Sequence, residues 1–345
     1  MPINVAKINC AIAAAIPERE AVIYGERRLT FGDIHRRSNK LANFLLQHGI
    51  TIREERNRLE NWESGQDHVA LYMYNCNEFL EGMLGTFKAR AAQFNVNYRY
   101  VAEELIYLLQ DAQTAAIIFH GRFAQALAEV LPALPHIRLL IQVDDGSGAP
   151  LLPGAYDYES ALANVDDKTP SLPWSDDDVY ILYTGGTTGM PKGVLWRQAD
   201  CTVANLGGRM PDQSVVPDLE TFAARAKRSR GLRIMPASPF MHGAGSYVSF
   251  NAWHWGNTVV IQKVTHRFDP ADVLRTVERE RVGMLLIIGD AFGRPLLGEL
   301  RRGNYDMSAL KTILRTGAIL SDQVKAGLIE AVPQLRISDL SLIHI

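Results

Sequence analysis

The chain has 345 residues, 47% hydrophobic and 21% charged, which is enough for one large or two smaller domains of ordinary globular composition. A formal net charge of −2 gives no electrostatic reason to expect nucleic acid, and the three unevenly spaced cysteines suggest neither a disulfide framework nor a zinc site. No apolar stretch approaches the roughly 20 residues needed to cross a bilayer, so an integral membrane protein is excluded; the expectation is a cytoplasmic protein, with peripheral membrane contact leaving no such trace.

Taken in chain order, the apolar run CAIAAAI reads as a helix packed on the body rather than a leader, because it runs directly into PERE. Residues 53–65, REERNRLENWESG, read as a solvated insertion. Strand and helix signals then alternate: HVALYMY, NEFLEGMLGTFKARAA, FNVN, VAEELIYLLQDA, AAIIF, RFAQALAEVL and IRLLIQV. Such alternation implies βαβ units and a mostly parallel sheet. Residues 144–173 read as a polar surface excursion, and DVYILYT as a buried strand beyond it. A helix near 199–206, a polar break through Arg230, the strand LRIMP, a helix near 246–255 and the strand TVVIQ come next. The basic run Arg225, Lys227, Arg228 and Arg230 reads as a solvated face. The remaining pattern is ADVLRTVERERV (helix), GMLLIIG (strand), AFGRPLLGELRR (helix interrupted by Pro295), KTILRTG (strand) and SDQVKAGLIEAV, a helix with Ser321 as N-cap. No repeat period is visible, so the fold class is α/β, two stacked α/β subdomains divided as 1–173 and 174–345.

The richest segment is YTGGTTGMPKGV, residues 183–194. Gly185, Gly186 and Gly189 permit backbone torsions that gather N–H groups in one concavity, Thr184, Thr187 and Thr188 add hydroxyls, and Lys192 adds a mobile positive charge. Together these groups are ligands for phosphate. With a strand on either side, and Pro191 rather than glycine before the lysine, the segment is not a Walker loop. The plain alternative, a glycine-rich hairpin with a solvated lysine, suits most short Gly/Thr runs.

Three further loops stand at predicted strand ends, where open α/β sheets gather ligands. PASPFMHGAG carries His242; a lone histidine is ordinarily structural, and only the phosphate loop reverses that order. RTGAILS brings Gly317 and Ala318 to a turn where a ligand can approach the backbone, although an ordinary β-turn-α connection reads the same way. IIGDAFGRPLL places Gly289, Asp290 and Ala291 together, with a helix cap the default role for the aspartate. The aromatic cluster Trp253, His254 and Trp255 reads as core or as a substrate wall.

YTGGTTGMPKGV resembles the signature phosphate loop of the adenylate-forming (AMP-binding) superfamily: acyl-CoA synthetases, luciferase-like enzymes and peptide-synthetase adenylation domains. PFMHGAG and RTGAILS resemble that family's histidine motif and adenine-contacting segment, in the family's order. ERRLTFGDIHRRSNKLANFLLQHGI and FKARAAQFNVNYRY resemble its N-terminal half, so the likeness runs from about residue 17 to residue 333. The detailed wording is most similar to bacterial fatty-acyl-CoA synthetases, including subgroups acting on bulky acids such as steroid side chains. Arg315 and Thr316 depart from the family, standing where smaller residues are common.

The resemblance implies the large N-terminal domain of the acyl-CoA synthetase fold, with ATP, Mg2+ and CoA as cofactors and a small-molecule carboxylic acid as substrate. It implies that Thr184, Gly185, Gly186, Thr187, Thr188, Gly189 and Lys192 grip ATP phosphates and that Gly317 and Ala318 contact adenine. His242 would border the acid and phosphate, with Lys192 as its catalytic companion, and Gly289, Asp290 and Ala291 would line the acyl channel. After LRISD the family continues with Tyr-Gly-x-Thr/Ser-Glu, whereas this sequence reads LSLIHI and stops short of the ribose-binding aspartate, the hinge and the small C-terminal domain. The expectation is therefore an incomplete N-terminal portion of an AMP-forming acyl-CoA synthetase. An adenylating enzyme that loads a carrier protein and a non-catalytic nucleotide-binding remnant are the alternatives.

Overall fold

A computed structural model describes residues 3–185 and 189–339 of the chain. Contacts divide it into two units, the first built mainly from residues 33–203 and the second from 12–32, 204–216 and 220–345. The hairpin bearing Thr184 and Lys192 belongs to the first unit, so the division lies some thirty residues beyond the expected break at 173/174.

In the first unit a five-stranded parallel sheet runs in the order Ala92–Asn95, His68–Tyr72, Thr114–His120, Leu139–Val143, Tyr156–Asp157. The helices Asn77–Lys88, Ala102–Asp111 and Ala124–Val130 supply the crossovers that parallel pairing requires. Thr114–His120 is buried at every position, as a central parallel strand covered on both faces should be. Its Ile117 and Phe119 pack with Ala70, Tyr72, Phe94, Leu105 and Leu108 in one cluster.

The excursion at 144–173 is not wholly superficial. Asp157 caps a short helix by accepting from the Ser160 N–H at 2.9 Å, and the next residue, Tyr158, is buried with its hydroxyl donating to Glu81 Oε2 at 2.9 Å. One aromatic anchor thus draws a polar segment onto the core, a feature composition does not display. The insertion at 53–65 is exposed as expected, yet its Glu55 holds the buried Arg90 at 2.8 Å.

The second unit carries a seven-stranded sheet in the order Arg336–Asp339, Thr312–Thr316, Met284–Ile288, Arg233–Pro236, Thr258–Ile261, Glu20–Tyr24, Arg27–Thr30. All its pairings are parallel except the terminal hairpin of Glu20–Tyr24 with Arg27–Thr30. Ile23, Met235, Val260, Leu285, Ile287 and Ile313 share a core with Val273, Val277, Leu296, Leu297, Val324 and Leu328 from the helices. Burying each such side chain favours folding by about 1.5–3 kcal/mol.

Two expectations are corrected here. The polar break contains a helix, Leu219–Arg228, whose Phe222, Arg225 and Ala226 form a buried i, i+3, i+4 stripe, so Arg225 is not part of a solvated face. Lys227, Arg228 and Arg230 are exposed as expected. Pro295 does not interrupt its helix: Gly289–Arg302 is continuous through it, although the proline has no N–H to donate along the helix.

Candidate functional site

The phosphate-loop hairpin pairs Val179–Thr184 antiparallel with Lys192–Arg197, and the register sets Thr184 directly opposite Lys192. Thr184, Gly185, Gly189 and Lys192 are exposed; Gly186, Thr187 and Thr188 lie outside the described residues. Directly opposed residues stand with Cβ atoms about 4.5–5.5 Å apart, so a hydroxyl and an ammonium flank the loop at its base.

Below these exposed residues the stem is held from both ends. Asp178, just before the strand, accepts from the buried Arg90 guanidinium at 2.7 Å, and the Val179 N–H donates to Gln66 Oε1 at 2.6 Å. At the loop end the Asn95 side chain imitates a neighbouring strand. Its Oδ1 accepts from the Tyr183 N–H at 3.1 Å and its Nδ2 donates to the Tyr183 carbonyl at 3.3 Å. The Tyr183 hydroxyl donates to Asp111 at 2.6 Å, and burial together with that carboxylate pushes the phenol well above its ordinary range. Across the hairpin a Cβ on Gly193 would fall 2.8 Å from the Tyr183 ring, which is why glycine follows the lysine.

In the second unit, Arg233–Pro236 ends in the loop carrying His242, which occupies the N-cap of Gly243–His254 in extended conformation. His242 is exposed between the buried Met241 and the buried first turn of the helix. A Cβ on Gly245 would lie 2.6 Å from the Pro239 carbonyl oxygen, so the GAG sequence lets the first turn press on the loop backbone.

The two other predicted loops interlock. Gly289 sits at φ +46°, and a Cβ there would stand 2.5 Å from the Ile319 carbonyl oxygen and 2.7 Å from the Ala318 Cβ. Gly317 takes φ +73°. The Asp290 N–H donates to the Ile319 carbonyl at 2.9 Å, and Asp290 Oδ1 accepts from the Ser321 N–H at 2.8 Å. Arg294 pairs with the same carboxylate at 2.7 Å. The Ser321 hydrogen bond, aided by Arg294, holds Asp290 below the usual carboxylate range. Asp290 therefore ties two loops together rather than capping its own helix, and the Ser321 side chain makes no cap hydrogen bond.

Sequence reasoning did not single out a cavity of about 330 Å3 in this unit, lined by Ile234, Val248, Met284 and Leu314 with Tyr247, Asn251 and Trp255. Tyr247, Val248, Asn251 and Trp255 fall at i, i+1, i+4 and i+8, one face of the helix that begins after His242. The aromatic cluster accordingly splits. Trp253 is core, its Nε1 donating to the Ala21 carbonyl at 2.9 Å, and His254 is buried, while Trp255 faces the cavity.

Arg225 secures that wall. Its guanidinium donates to the carbonyls of Gly207 at 2.7 Å, His254 at 2.9 Å and Arg209 at 3.0 Å, and lies 4.1 Å from the Trp255 ring centroid. Burial lowers the Arg225 pKa to about 10 and that of His254 to about 3. A larger, polar cleft of about 740 Å3 opens in the first unit beside Arg53, Asp67, His68 and Arg138, but it contains none of the sequence-predicted residues and both arginines already pair with Asp67 at 2.7 Å.

Parallel α/β sheets place their loops at the carboxyl ends of strands, where ligands gather, and the chain belongs to the AMP-binding enzyme family, which residues 11–340 match. It is 46% identical over 330 residues to the medium-chain acyl-CoA ligase Mig of Mycobacterium avium, covering 95% of this chain and 60% of that protein. It is 34% identical over 340 residues to the medium/long-chain-fatty-acid and 3-oxocholest-4-en-26-oate CoA ligase of Mycobacterium tuberculosis, covering 98% of this chain and 59% of that one. Its fold is that of an anthranilate CoA ligase, AuaEII, solved with anthranoyl-AMP, at TM-score 0.79 and 18% identity over 97% of this chain and 59% of that structure. The long-chain-fatty-acid CoA ligase FadD1 of Archaeoglobus fulgidus is similar too, at TM-score 0.77 and 18% identity over 99% of this chain and 64% of that structure. The chain spans about 60% of the length of the curated relatives it matches.

Proposed function

We propose that this chain supplies the ATP- and acid-binding portion of an AMP-forming acyl-CoA synthetase. The carboxylate of an aliphatic acid attacks the α-phosphate of ATP, the bond to the β-phosphate breaks, and acyl-AMP and pyrophosphate result. The thiol of CoA then attacks the acyl carbon, and AMP leaves with the electron pair of the broken C–O bond. The observation that carries this reading is the hairpin register that pairs Thr184 with Lys192 at the mouth of a glycine-rich loop. Bringing a carboxylate to a polyanion requires charge to be dispersed, and Lys192 with the loop N–H groups would stabilise the departing pyrophosphate. Mg2+ enters on the nucleotide. Among the described residues no cluster of three His, Cys, Asp or Glu side chains could hold it.

His242, Gly317, Ala318 and Gly289 are assigned to the acid and adenine through family resemblance. The apolar cavity on the helix after His242 supports an aliphatic acyl group, as do relatives named for fatty acids. Among the described residues no helix is long and apolar enough to cross a membrane. ATP–pyrophosphate exchange with a panel of medium-chain acids tests the proposal. Acid-dependent exchange supports it, and exchange absent with every acid while ATP still binds would leave the nucleotide-binding-remnant reading. Product formation that requires CoA, and not a carrier protein, separates the synthetase from a carrier-loading enzyme.

A further inference from the structure

The cavity of the second unit is apolar along Ile234, Val248, Met284 and Leu314, yet Asn251 and Asn257 also face it. Asn257 has a fixed orientation: its Oδ1 accepts from the Ser229 hydroxyl at 2.8 Å and from the Leu232 N–H at 3.1 Å. Two donors on the oxygen identify it and leave the NH2 group as the free end. Among the described residues that NH2 makes no hydrogen bond, and neither end of the Asn251 side-chain amide does. The wall behind Asn251 is held close, since a Cβ on Gly207 (φ +81°) would stand 3.2 Å from Asn251 Nδ2 and 3.1 Å from Trp255. Asn205 and Tyr247 also stand on the lining, and a few unengaged polar groups in a largely apolar pocket are what fixes the orientation of a ligand and discriminates among its analogues.

With the carboxylate placed at His242 as proposed above, their position also sets a length. Asn251 lies nine residues beyond His242, about 14 Å along a helix rising about 1.5 Å per residue. An extended alkyl chain with C–C bonds of about 1.5 Å advances roughly 1.3 Å per carbon. We propose that this cavity selects carboxylic acids carrying an oxygen substituent, oxo or hydroxyl, roughly ten or eleven carbons from the carboxylate, recognised by the amides of Asn251 and Asn257. The proposal rests on the acid-activating reading above, with the carboxylate at His242.

Calorimetric binding to the chain, which needs no turnover, tests it with dodecanoic acid, 11-oxododecanoic acid and 12-hydroxydodecanoic acid. The wild type should bind the two oxygenated acids roughly 3- to 10-fold more tightly than the plain one, the span of one net hydrogen bond. Moving the oxo group to carbon 5 should remove the gain. Asn251→Leu should lower the ratio by at least half, leaving only what the Asn257 amide supplies. Asn251→Asp, which only accepts, should keep the preference for the hydroxy acid and reverse it for the oxo acid. Equal affinities in the wild type, or a ratio unmoved in both variants, overturns the proposal while acid binding itself stands. Binding of none of the acids would sink this proposal and the acid-activating reading together.

Discussion

The phosphate hairpin and the His242 helix solve opposite problems. The hairpin presents exposed donors on a stem fixed by Asn95, Gln66 and the Arg90–Asp178 pair, whereas the helix offers a buried wall whose shape depends on Arg225, Gly207 and Trp255. A loop proposed to meet a polyanion is built of Gly, Thr and Lys, and those residue types stand out. A wall proposed to meet an alkyl chain uses the same Val, Met and Leu as any core, so it is silent in sequence.

The contrast breaks most sharply at Lys192. Lys192→Ala should lower acid-dependent ATP–pyrophosphate exchange by about 10² to 10³, the loss typical of one positioned donor, while leaving the unfolding midpoint where it was. If exchange is unchanged, the hairpin is an ordinary turn. Arg225→Met should do the reverse. Three carbonyls lose their donor beneath Trp255, so stability should fall by about 2–4 kcal/mol in urea unfolding, with ATP affinity of the surviving folded fraction retained. A stability change below about 0.5 kcal/mol would mean that the wall does not depend on this clamp.

A third effect concerns the first unit's interior. Lys88 is fully buried with Nζ donating to Asn39 Oδ1 at 2.7 Å and Ser38 Oγ at 2.9 Å, and among the described residues it has no carboxylate partner. Burial lowers its pKa to about 7. Between that value and its unfolded value near 10.4 the unfolded chain binds more protons, so stability should rise with pH across this window. Lys88→Met should flatten that rise; an identical slope in the variant would refute the assignment. On the acid side the sign is the same. Burial puts His35 and His120 at about 4 and His254 at about 3, so stability should fall as pH drops below about 6.5.

The alternating strands and helices were readable because parallel strands buried on both faces, such as Thr114–His120, form continuous apolar runs. Leu219–Arg228 was hidden because the residue completing its buried stripe is an arginine, and Tyr158 because one aromatic anchors an otherwise polar segment. Among the site residues, the Thr184–Lys192 register follows from local pairing and was accessible from pattern. The cavity amides were not, since Asn251 and Asn257 converge only through packing between a helix face and strand ends. Their one audible signal was Gly207, a glycine whose positive φ brings the backbone against both Trp255 and Asn251.

The interlock of Gly289 and Asp290 with residues 318–321 has a thermodynamic consequence. Two loops that share a backbone hydrogen bond and a carboxylate cannot be ordered independently, so whatever settles on one lowers the entropic cost of settling on the other. Linkage makes that assistance equal in both directions, and substitutions at Gly289 and Gly317 should combine non-additively.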